Sequence, residues 1–379
     1  MTKLRVLYII PENHGIGGST LSLLNMLHSV RDSVEERIVV REEGIVSHFL
    51  RDSGFTVVTI PFLLSVFNGS VLKRTVRFLP HLFNVLWRRR RFVALIRSTL
   101  SDWPPDLIHS NSGVVDVGLY LARALGVPHV WHIREYMDLD FALHPFPNWN
   151  TWRRSLSNSD SVIAVSSGIY NHHHLNLLPI ACWINDAVRP ASFRKVHLLK
   201  QKYFVFCAGS FSSAKMPEVA VGAFRDSGVW HDGFRLRLVG NCPVELQQDL
   251  LSLAGDAASS LDFIGYSSDV CDHLLYASGF LMTSRCEGLG RVTIEAMFCG
   301  CPVIARRSGG SLDILKDKET GFFFDTQNQC AMLISYLAGE IPTDVIEKAA
   351  DRAVEEFSEE VYGKKVLAVY YGLCGDYID

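Results

Sequence analysis

The stretch that decides the fold is "SRCEGLGRVTIEAMFCGCPVIARRSGG", which runs from Ser284 to Gly310. We predict a helix in "GRVTIEAMF", preceded by a strand in "SGFLMTS" and followed by a strand in "PVIA". A strand, a loop, a helix and a second strand form the repeating unit of parallel sheets. The glycine-rich loop "EGLG" is therefore expected at the carboxyl edge of a sheet, where sheets of this kind bind ligands.

The same alternation of short apolar runs with helical patterns continues along all 379 residues and predicts an α/β protein. The length favours two domains. We predict two Rossmann-like, doubly wound parallel-sheet domains facing a central cleft, with a boundary near the irregular segment "NDAVRPASFRK". The expected limits are residues 1–182, residues 183–356, and a terminal helix over residues 357–379 that packs back on the first domain, with Ser358 as its N-cap.

Each half of the chain contains six predicted strands. They are "LRVLYII", "ERIVV", "FTVVTI", "DLIHS", "HVWHI" and "SVIAVS" in the first half, and "YFVFCAG", "FRLRLVG", "LDFIG", "GFLMTS", "PVIA" and "GFFFD" in the second. The helices predicted between them include "STLSLLNMLHSV", "VDVGLYLARALG", "PVELQQDLLSLAG" and "DVCDHLLYASG".

Composition argues against several classes of protein. The formal net charge of −3 gives no reason to expect a nucleic-acid partner. The early apolar run "VLYII" is too short for a signal peptide, and no stretch offers about 18 to 20 apolar residues, so we expect a cytoplasmic protein. The nine cysteines have neither disulfide nor zinc spacing, and we predict that they are small buried hydrophobes.

Two glutamates flank the start of the helix in the opening stretch. The helix N-terminus and the loop amides suit an anion such as a diphosphate. Glu295 lies roughly 7 to 8 Å into the helix and could accept hydrogen bonds from a ribose, while Glu287 would meet a sugar beyond the diphosphate. The alternative is that Glu287 caps the helix and Glu295 belongs to a solvated face.

The run from Leu281 to Asp325 resembles the signature region of retaining glycosyltransferase family 4, the "glycosyl transferases group 1", which have the GT-B fold. The residues that match are Ser284, Glu287, Gly288, Gly290, Glu295 within "EAM", Gly300, "PVI", the pair Gly309 and Gly310, and "TGFFF". The resemblance implies that Glu287 contacts the donor sugar and takes part in catalysis. It also implies that Glu295 holds the ribose, and that the backbone from Gly288 through Leu289 and Gly290 to Arg291 contacts the diphosphate.

A second loop, which the resemblance assigns to the nucleotide-sugar donor, matches the family less closely. In "CAGSFSSAKMPEV" the resemblance assigns Gly209, Ser210 and Lys215 to the diphosphate, but Ser210 stands where the family has arginine, and Met216 where it has glycine. Arg285 or Arg291 are candidates for the missing cation. The strand ends "RLRLVGN" and "LDFIGYSSDV" resemble the family's base-contacting segments and imply that Gly240, Ile264 and Tyr266 lie near the base.

The first half also resembles the family. "IIPENHGIGGST" is similar to a glycine loop that contacts the donor through Gly17, Gly18 and Ser19, and His132 in "HVWHIREY" stands where the family has a histidine beside the donor sugar. We assign the acceptor to His109 and Asn111 of "PDLIHSN" and to Arg134 and Glu135. The alternatives are a satisfied strand-end histidine for His132 and a surface ion pair for Arg134 and Glu135. "INDAV" departs from the family's pattern.

Two further segments carry basic or metal-binding residue types. From Phe55 to Ser101 the chain has no Asp or Glu but has Lys73, Arg74, Arg77, Arg88 to Arg91 and Arg97 among apolar residues. Such a segment suits an anionic membrane surface, and the alternative is a core helix with a cationic solvent face. The run "HHH" from His172 to His174 lacks a partner acid or cysteine nearby, and we predict that it is solvated.

Together with these patterns, the resemblance implies a retaining, metal-independent hexosyltransferase. It would use a nucleotide sugar, with UDP or GDP as the nucleotide and no other cofactor, and a glycan or lipid-linked acceptor in the synthesis of surface polysaccharide or glycolipid. Its predicted location is cytoplasmic, peripheral at the inner face of the plasma membrane. With no carboxylate nucleophile in evidence, we favour front-face attack. The rival hypotheses are a nucleotide-sugar epimerase of the same fold and a non-catalytic member that binds a glycan or a membrane.

Overall fold

The computed structural model describes residues 3–11, 15–67 and 78–375. The chain divides into two compact units: unit 1 comprises residues 1–185 and 362–379, and unit 2 comprises residues 186–361. The chain thus leaves unit 1 once and returns to it within its last helix.

Unit 1 is built on a parallel sheet with the strand order β3-β2-β1-β5-β6-β8-β9 in the described residues. A separate antiparallel pair joins β4 to β7. The strands are β1 (Leu4–Ile10), β2 (Val34–Val40), β3 (Val57–Thr59), β4 (Val66–Phe67), β5 (Leu107–Ser110), β6 (His129–Ile133), β7 (His144–Pro145), β8 (Ser161–Ala164) and β9 (Ala181–Trp183). The helices are α1 (Gly18–Val30), α2 (Ile45–Asp52), α3 (Phe78–Thr99), α4 (Val117–Leu125), α5 (Asp138–Phe141), α6 (Trp149–Leu156) and α7 (Ser167–His172).

Unit 2 is built on a second parallel sheet with the order β12-β11-β10-β13-β14-β15. Its strands are β10 (Gln201–Ser210), β11 (Arg235–Asn241), β12 (Leu261–Gly265), β13 (Ala277–Met282), β14 (Val303–Arg306) and β15 (Phe322–Phe324). Its helices are α8 (Pro217–Ser227), α9 (Val244–Ala254), α10 (Cys271–Leu274), α11 (Arg291–Phe298), α12 (Ser311–Ile314), α13 (Gln327–Gly339) and α14 (Thr343–Phe357), and α15 (Glu359–Cys374) carries the chain back into unit 1.

The central strands of both sheets are buried on both faces, as in parallel sheets that helices cover on both sides, so their residues do not alternate between buried and exposed. Every residue of β13 is buried, and the Phe204 and Phe206 side chains of β10 pack with Phe224 of α8 in one core. Helix α11 is buried from Thr293 to Phe298 and packs against α14. The helix that carries Glu295 is therefore fixed in the core of unit 2.

The prediction of two α/β units with parallel sheets is confirmed, and all twelve predicted strands are present. One predicted helix is wrong in its extent: in "DVCDHLLYASG" the helix ends at Leu274, and Ala277 already begins β13. The sequence analysis also missed the edge strand β9 and the two-residue strands β4 and β7. Helix α15 begins at Glu359, directly after Ser358.

Candidate functional site

In unit 2 the strand order reverses between the neighbouring strands β10 and β13. Lys215 follows β10 and Glu287 follows β13, so both lie beyond the carboxyl ends of the two strands at this reversal. Doubly wound sheets bind their ligands at this point of the topology. The fold therefore brings two residues 72 positions apart to the expected ligand edge.

Lys215 and Glu287 form an ion pair in which Lys215 Nζ lies 2.6 Å from Glu287 Oε1. Backbone contacts fix the loops that carry them. The Thr283 hydroxyl lies 3.0 Å from the carbonyl oxygen of Lys215 and 2.9 Å from that of Met216, and the Arg285 amide donates to the carbonyl oxygen of Ala214. The two charges are consequently held together by the backbone and not by their side chains alone.

Glycines allow close contact between the loop that follows β13 and the loop that follows β14. The Gly310 amide donates to the carbonyl oxygen of Glu287 at 3.0 Å. A Cβ atom at Gly310 would lie 2.3 Å from the carbonyl oxygen of Leu289, so a side chain at position 310 would displace the Glu287 loop. Gly290, with φ of +95°, then starts α11. It is the residue type that adopts this conformation without strain.

The capping alternative for Glu287 is wrong. Gly290 occupies the N-cap position of α11, and no side chain caps the helix there. The N-cap residue thus supplies no side-chain acceptor to the amide groups of the first turn. An anionic ligand can accept hydrogen bonds from such amide groups.

Met216 has φ of +51° at the start of α8, in the left-handed region that favours glycine. It occupies the position where the resemblance expects glycine. Holding a side chain in this conformation costs about 1 kcal/mol or more, and the Thr283 contact with its carbonyl oxygen helps to fix the turn. The loop that carries Lys215 therefore keeps, with methionine at position 216, the backbone conformation that a glycine would adopt there.

Glu295 is only 8% exposed, so the alternative of a solvated face residue is wrong. Burial raises the pKa of Glu295, while the positive charges of Arg291 and Arg189 oppose the increase. A buried carboxylate is unfavourable by itself and becomes more favourable when a ligand donates hydrogen bonds to it.

The two arginines near Glu295 are themselves anchored. Arg291 Nη1 donates to the carbonyl oxygen of Ala187 at 2.9 Å, and Arg189 Nη2 donates to Asp269 Oδ1 at 2.9 Å. Of the two candidate replacements for the family's phosphate-binding arginine, Arg291 is thus engaged with the backbone, whereas Arg285 is exposed. The sequence analysis missed Arg189, whose position beside a donor residue has no local sequence signal.

The other predicted donor residues lie at the same edge of the sheet. Gly209 and Ser210 are exposed at the end of β10, and Ile264 and Tyr266 are exposed at the end of β12. Gly240, near the end of β11 between them, has φ of +133°, and a Cβ there would lie 1.7 Å from the carbonyl oxygen of Ala208. The carboxyl ends of these three adjacent strands thus carry the positions predicted to contact the base, together with Gly209 and Ser210, which are predicted to contact the diphosphate.

In unit 1, three aromatic side chains form a row on one face of the sheet, under α15. Tyr8 of β1 pairs in register with His109 of β5, and the His109 and His132 rings are 5.4 Å apart. Tyr370 of α15 covers the row, with its hydroxyl 2.8 Å from His109 Nδ1 and 3.2 Å from the Tyr8 hydroxyl. Burial and the charge of Arg134 hold the pKa of both histidines well below the ordinary value, so both rings are neutral.

The surface ion pair proposed for Arg134 and Glu135 is wrong. Arg134 is buried, and its Nε donates to Asn111 Oδ1 at 2.8 Å. Glu135 instead accepts hydrogen bonds from the Ser112 hydroxyl and from the amides of Gly113 and Arg134. The four predicted acceptor residues His109, Asn111, Arg134 and Glu135 are therefore neighbours at the ends of β5 and β6.

His132 is not a satisfied strand-end histidine in the described residues. Its Nδ1 lies 3.4 Å from Arg134 Nη2, but its Nε2 is buried without a hydrogen-bond partner there. Gly17 and Gly18 are exposed at the start of α1, where Gly17 is the N-cap without a side-chain bond, and Ser19 follows in the first turn. Glu12, Asn13 and His14 of the same predicted loop lie outside the described residues.

The expectation of a solvated histidine run is wrong for two of its three members. His173 is buried and its Nε2 lies 2.9 Å from the carbonyl oxygen of Glu135, and His172 Nε2 lies 2.8 Å from Asp138 Oδ1. These contacts attach α7 to the segment that follows β6. Across the described ranges, no group of three or more His, Cys, Asp or Glu residues could hold a metal ion.

The basic segment forms α3 from residue 78 onward, and Lys73, Arg74 and Arg77 lie outside the described residues. Arg89 points inward and forms an ion pair with Asp116, so it is not available to a membrane. The opposite face of α3 is exposed and carries Leu79, Phe83, Leu86 and Trp87, followed by Arg90 and Arg91. Among the helices that the structure describes, none is long and apolar enough to cross a membrane.

Two models of protein families match the amino-acid sequence of the chain. "Glycosyl transferase 4-like domain" matches residues 17–178, and "Glycosyl transferases group 1" matches residues 188–338, so that together they account for most of its length. The chain belongs to the group 1 glycosyl transferases. The two models meet near the boundary between unit 1 and unit 2.

Individual relatives of this group are more distant. An uncharacterized glycosyltransferase of Methanocaldococcus jannaschii and the N-acetyl-alpha-D-glucosaminyl L-malate synthase of Bacillus anthracis are each 26% identical, over 59% and 60% of this chain. The alignments cover 62% and 63% of those proteins, so the chain spans less than two thirds of the length of the curated relatives it matches. The crystal structure of HepE from Anabaena in complex with UDP superposes with a TM-score of 0.80 at 16% identity, covering 98% of this chain and 100% of that one. The fold is GT-B.

Proposed function

We propose that this group 1 glycosyl transferase moves a sugar from a nucleoside diphosphate sugar to a glycan or lipid-linked acceptor with retention of configuration. The observation that carries the proposal is the arrangement around α11. A lysine and a glutamate in contact stand before an uncapped helix N-terminus, and a buried carboxylate, Glu295, stands on the helix behind it. The structural relative HepE binds UDP, which agrees with a diphosphate ligand.

The leaving diphosphate gains negative charge as the glycosidic bond breaks. In our proposal the amides of Gly288 to Arg291, the N-terminus of α11 and Lys215 stabilise that charge without a metal ion. The Ser210 position supplies no charge, so Lys215 carries a larger share of the phosphate contact than in relatives with an arginine there. Glu295 would accept hydrogen bonds from the ribose hydroxyls.

Glu287 would contact the transferred sugar. Its carboxylate contacts Lys215, and we propose that a diphosphate competes for the lysine and leaves Glu287 to the sugar hydroxyls. We propose front-face attack, in which the acceptor oxygen forms its bond on the side that the diphosphate leaves and passes its proton to the diphosphate. His132 in unit 1 is proposed as the second residue of the reaction.

The acceptor and the location are proposed from unit 1. His109, Asn111, Arg134 and Glu135 form a polar cluster suited to a hydroxylated acceptor. The exposed face of α3 combines Phe83, which is 74% exposed, and Trp87, which is 49% exposed, with two outward arginines. Such a face suits the anionic surface of a membrane, which agrees with a lipid-linked acceptor and a peripheral enzyme of polysaccharide or glycolipid synthesis.

A thermal-shift panel of UDP, GDP, ADP and CMP with their sugars tests the donor proposal. A ligand at 100 times its dissociation constant should stabilise the protein by about 2.7 kcal/mol, and we expect UDP or GDP to give the largest shift. Incubation of the preferred donor with and without acceptor then separates transfer from epimerisation, because an epimerase changes the donor alone. No shift with any nucleotide would contradict the proposal.

A further inference from the structure

We propose that Thr283 is a positioning residue for Lys215, and that its hydroxyl allows methionine at position 216 in place of the glycine that the resemblance expects. The role in nucleotide binding rests on the proposed function, because Lys215 is the cation that we assign to the diphosphate. The structural part depends only on the backbone of the lysine loop, which we define as residues 211–216 between β10 and α8.

Met216 is held in a backbone conformation that its side chain disfavours. Its φ and ψ are 51° and 52°, in the left-handed region, and Pro217 follows it as the first residue of α8. A residue with a Cβ atom rarely adopts this region, and a following proline restricts its backbone further. Such conformations persist only where the surrounding structure determines them. The lysine loop therefore needs contacts that hold residue 216 in place.

The hydroxyl of Thr283 supplies such a contact. Its Oγ1 lies 3.0 Å from the carbonyl oxygen of Lys215 and 2.9 Å from that of Met216, the two carbonyl groups that flank the Met216 Cα atom. Consecutive carbonyl groups point the same way in helical backbone and in opposite directions in a strand. One hydroxyl reaches both oxygens only when residue 216 has a helical type of conformation, as it does here.

Thr283 is itself fixed by the sheet of unit 2. It follows β13, is completely buried, and its carbonyl oxygen accepts a hydrogen bond from Arg306 Nε of the neighbouring strand β14 at 3.2 Å. The Arg285 amide, two residues further on, donates to the carbonyl oxygen of Ala214 at 2.9 Å. The segment after β13 thus holds the lysine loop at two points.

The side chain of Met216 gains packing that glycine would not have, because it packs against the hydrophobic core of unit 2. This apolar contact and the hydroxyl of Thr283 together oppose the backbone preference of methionine. The preceding residue is Lys215, whose Nζ lies 2.6 Å from Glu287 Oε1. The place of the Lys215 ammonium group at the ligand edge therefore depends on the Thr283 hydroxyl.

The test measures the affinity of the full chain for UDP and GDP by calorimetry. Thr283→Val keeps the shape of the side chain but removes the hydroxyl, and it should weaken binding of the preferred nucleotide about five- to tenfold. Thr283→Ser keeps the hydroxyl and should bind within about twofold of the wild type.

Thr320→Val is the matched control. Thr320 is also buried in unit 2, and its hydroxyl accepts a hydrogen bond from the Lys316 amide at 2.8 Å. It precedes β15, so it lies at the end of the sheet opposite to the ligand edge. The control removes a comparable hydrogen bond and should leave nucleotide affinity unchanged.

Two double variants separate positioning from a general loss of stability. In a Lys215→Gln background, Thr283→Val should weaken binding no further, because the residue that it positions is already absent. In a Met216→Gly background, Thr283→Val should weaken binding less than in the wild type, because glycine adopts the left-handed conformation without strain. A full additional loss in either background, or equal binding by the wild type and Thr283→Val, would overturn the inference.

Hydrogen exchange of the ligand-free chain gives a readout that does not depend on nucleotide binding. The Val219 amide donates to the carbonyl oxygen of Met216 at 3.1 Å, and the Arg285 amide donates to the lysine loop as described above. Both amides should exchange about five times faster in Thr283→Val than in Thr283→Ser or Thr320→Val. Unchanged exchange would overturn the inference while nucleotide binding stands. Failure of the wild type to bind any nucleotide would instead contradict the proposed function.

Discussion

The hydroxyl oxygen of Tyr370 lies 2.8 Å from Nδ1 of His109, although 261 positions separate the two residues in the sequence. Both side chains are completely buried, and the Tyr370 hydroxyl also contacts that of Tyr8. Burial raises the pKa of Tyr370 well above its ordinary value, so its hydroxyl keeps its proton at all physiological pH values. A helix at the end of the described chain thus supplies the hydrogen-bond partner of a residue in the first sheet.

Replacement of this tyrosine should destabilise unit 1. Tyr370→Phe keeps the ring but leaves His109 Nδ1 buried without a partner, and we expect a loss of about 1 to 3 kcal/mol. The neighbouring Tyr371→Phe is the matched control, because Tyr371 is only partly buried. Thermal or urea unfolding checks the difference. Equal midpoints for the two variants would show that the contact contributes nothing.

Lys215 and Glu287 should give opposite effects on nucleotide affinity although they form one ion pair. Lys215→Gln removes the positive charge that we propose for the diphosphate and should weaken UDP binding about tenfold or more. Glu287→Gln releases the lysine from its partner, so UDP should bind as well or more tightly, while turnover falls by about 10²-fold. Calorimetry and steady-state kinetics separate the two effects. A parallel loss of affinity in both variants would contradict the assigned roles.

Glu295 should make opposite contributions to binding and to stability. Its pKa is raised above the ordinary 4.5 by burial, so the folded protein holds this proton more tightly than the unfolded chain does. The contribution of Glu295 to the free energy of unfolding therefore falls as the pH rises from about 4.5 through the raised pKa. At neutral pH, Glu295→Gln should stabilise the unliganded protein by about 0.5 to 2 kcal/mol, and this gain should shrink toward pH 5.

The same variant should bind UDP about tenfold more weakly, because an amide has a single acceptor oxygen where the carboxylate offers two. Unfolding and UDP titrations at pH 5 and pH 8 check both effects. A variant that is less stable than the wild type at pH 8 and binds UDP normally would show that Glu295 is a structural residue.

Three neighbouring arginines of α3 should have different roles: Arg89 stabilises the fold, whereas Arg90 and Arg91 bind an anionic surface. Arg90→Gln with Arg91→Gln removes two exposed charges and should weaken binding to anionic vesicles about 10- to 30-fold, since each basic residue contributes about 1 kcal/mol. Lys316→Gln with Lys348→Gln makes the same change in net charge on unit 2 and serves as the control. Vesicle sedimentation measures both, and equal binding by all three proteins would remove the membrane proposal.

Arg89→Gln should behave differently from its neighbours. It would leave the Asp116 carboxylate buried without its ion-pair partner, and it should destabilise the protein by about 3 to 5 kcal/mol. A substitution of all four arginines from Arg88 to Arg91 would therefore combine a folding defect with any loss of membrane binding.

The sequence predicted the positions of the strands well because these positions depend on local apolar runs separated by glycine and polar loops. "LRVLYII" coincides with β1 from Leu4 to Ile10, and "VDVGLYLARALG" contains α4 with Gly126 in the left-handed conformation that ends a helix. The helix predicted over "DVCDHLLYASG" was too long because the stretch contains a short helix followed directly by the start of a buried strand. Both are apolar, and periodicity alone does not separate them.

The sequence predicted which residues lie at the ligand edge of the sheet. It did not predict which partners compensate the charged side chains. Nothing around Arg89 distinguishes it from Arg88, Arg90 and Arg91, because its partner Asp116 belongs to another helix start. The burial of His173 and the contact of Tyr370 with His109 likewise depend on long-range packing. Such partners become visible only when the fold brings distant segments together.

The return of α15 to unit 1 has a consequence for biosynthesis. A ribosome adds about 5 to 20 residues per second, so on the order of ten seconds or more pass between the emergence of β9 and that of Tyr370. During this interval the row of Tyr8, His109 and His132 in the sheet of unit 1 is not yet covered by Tyr370 of α15. Unit 2, which is synthesised before α15, can already fold. The nascent amino-terminal half is therefore the part of this chain that chaperones have most reason to hold during translation.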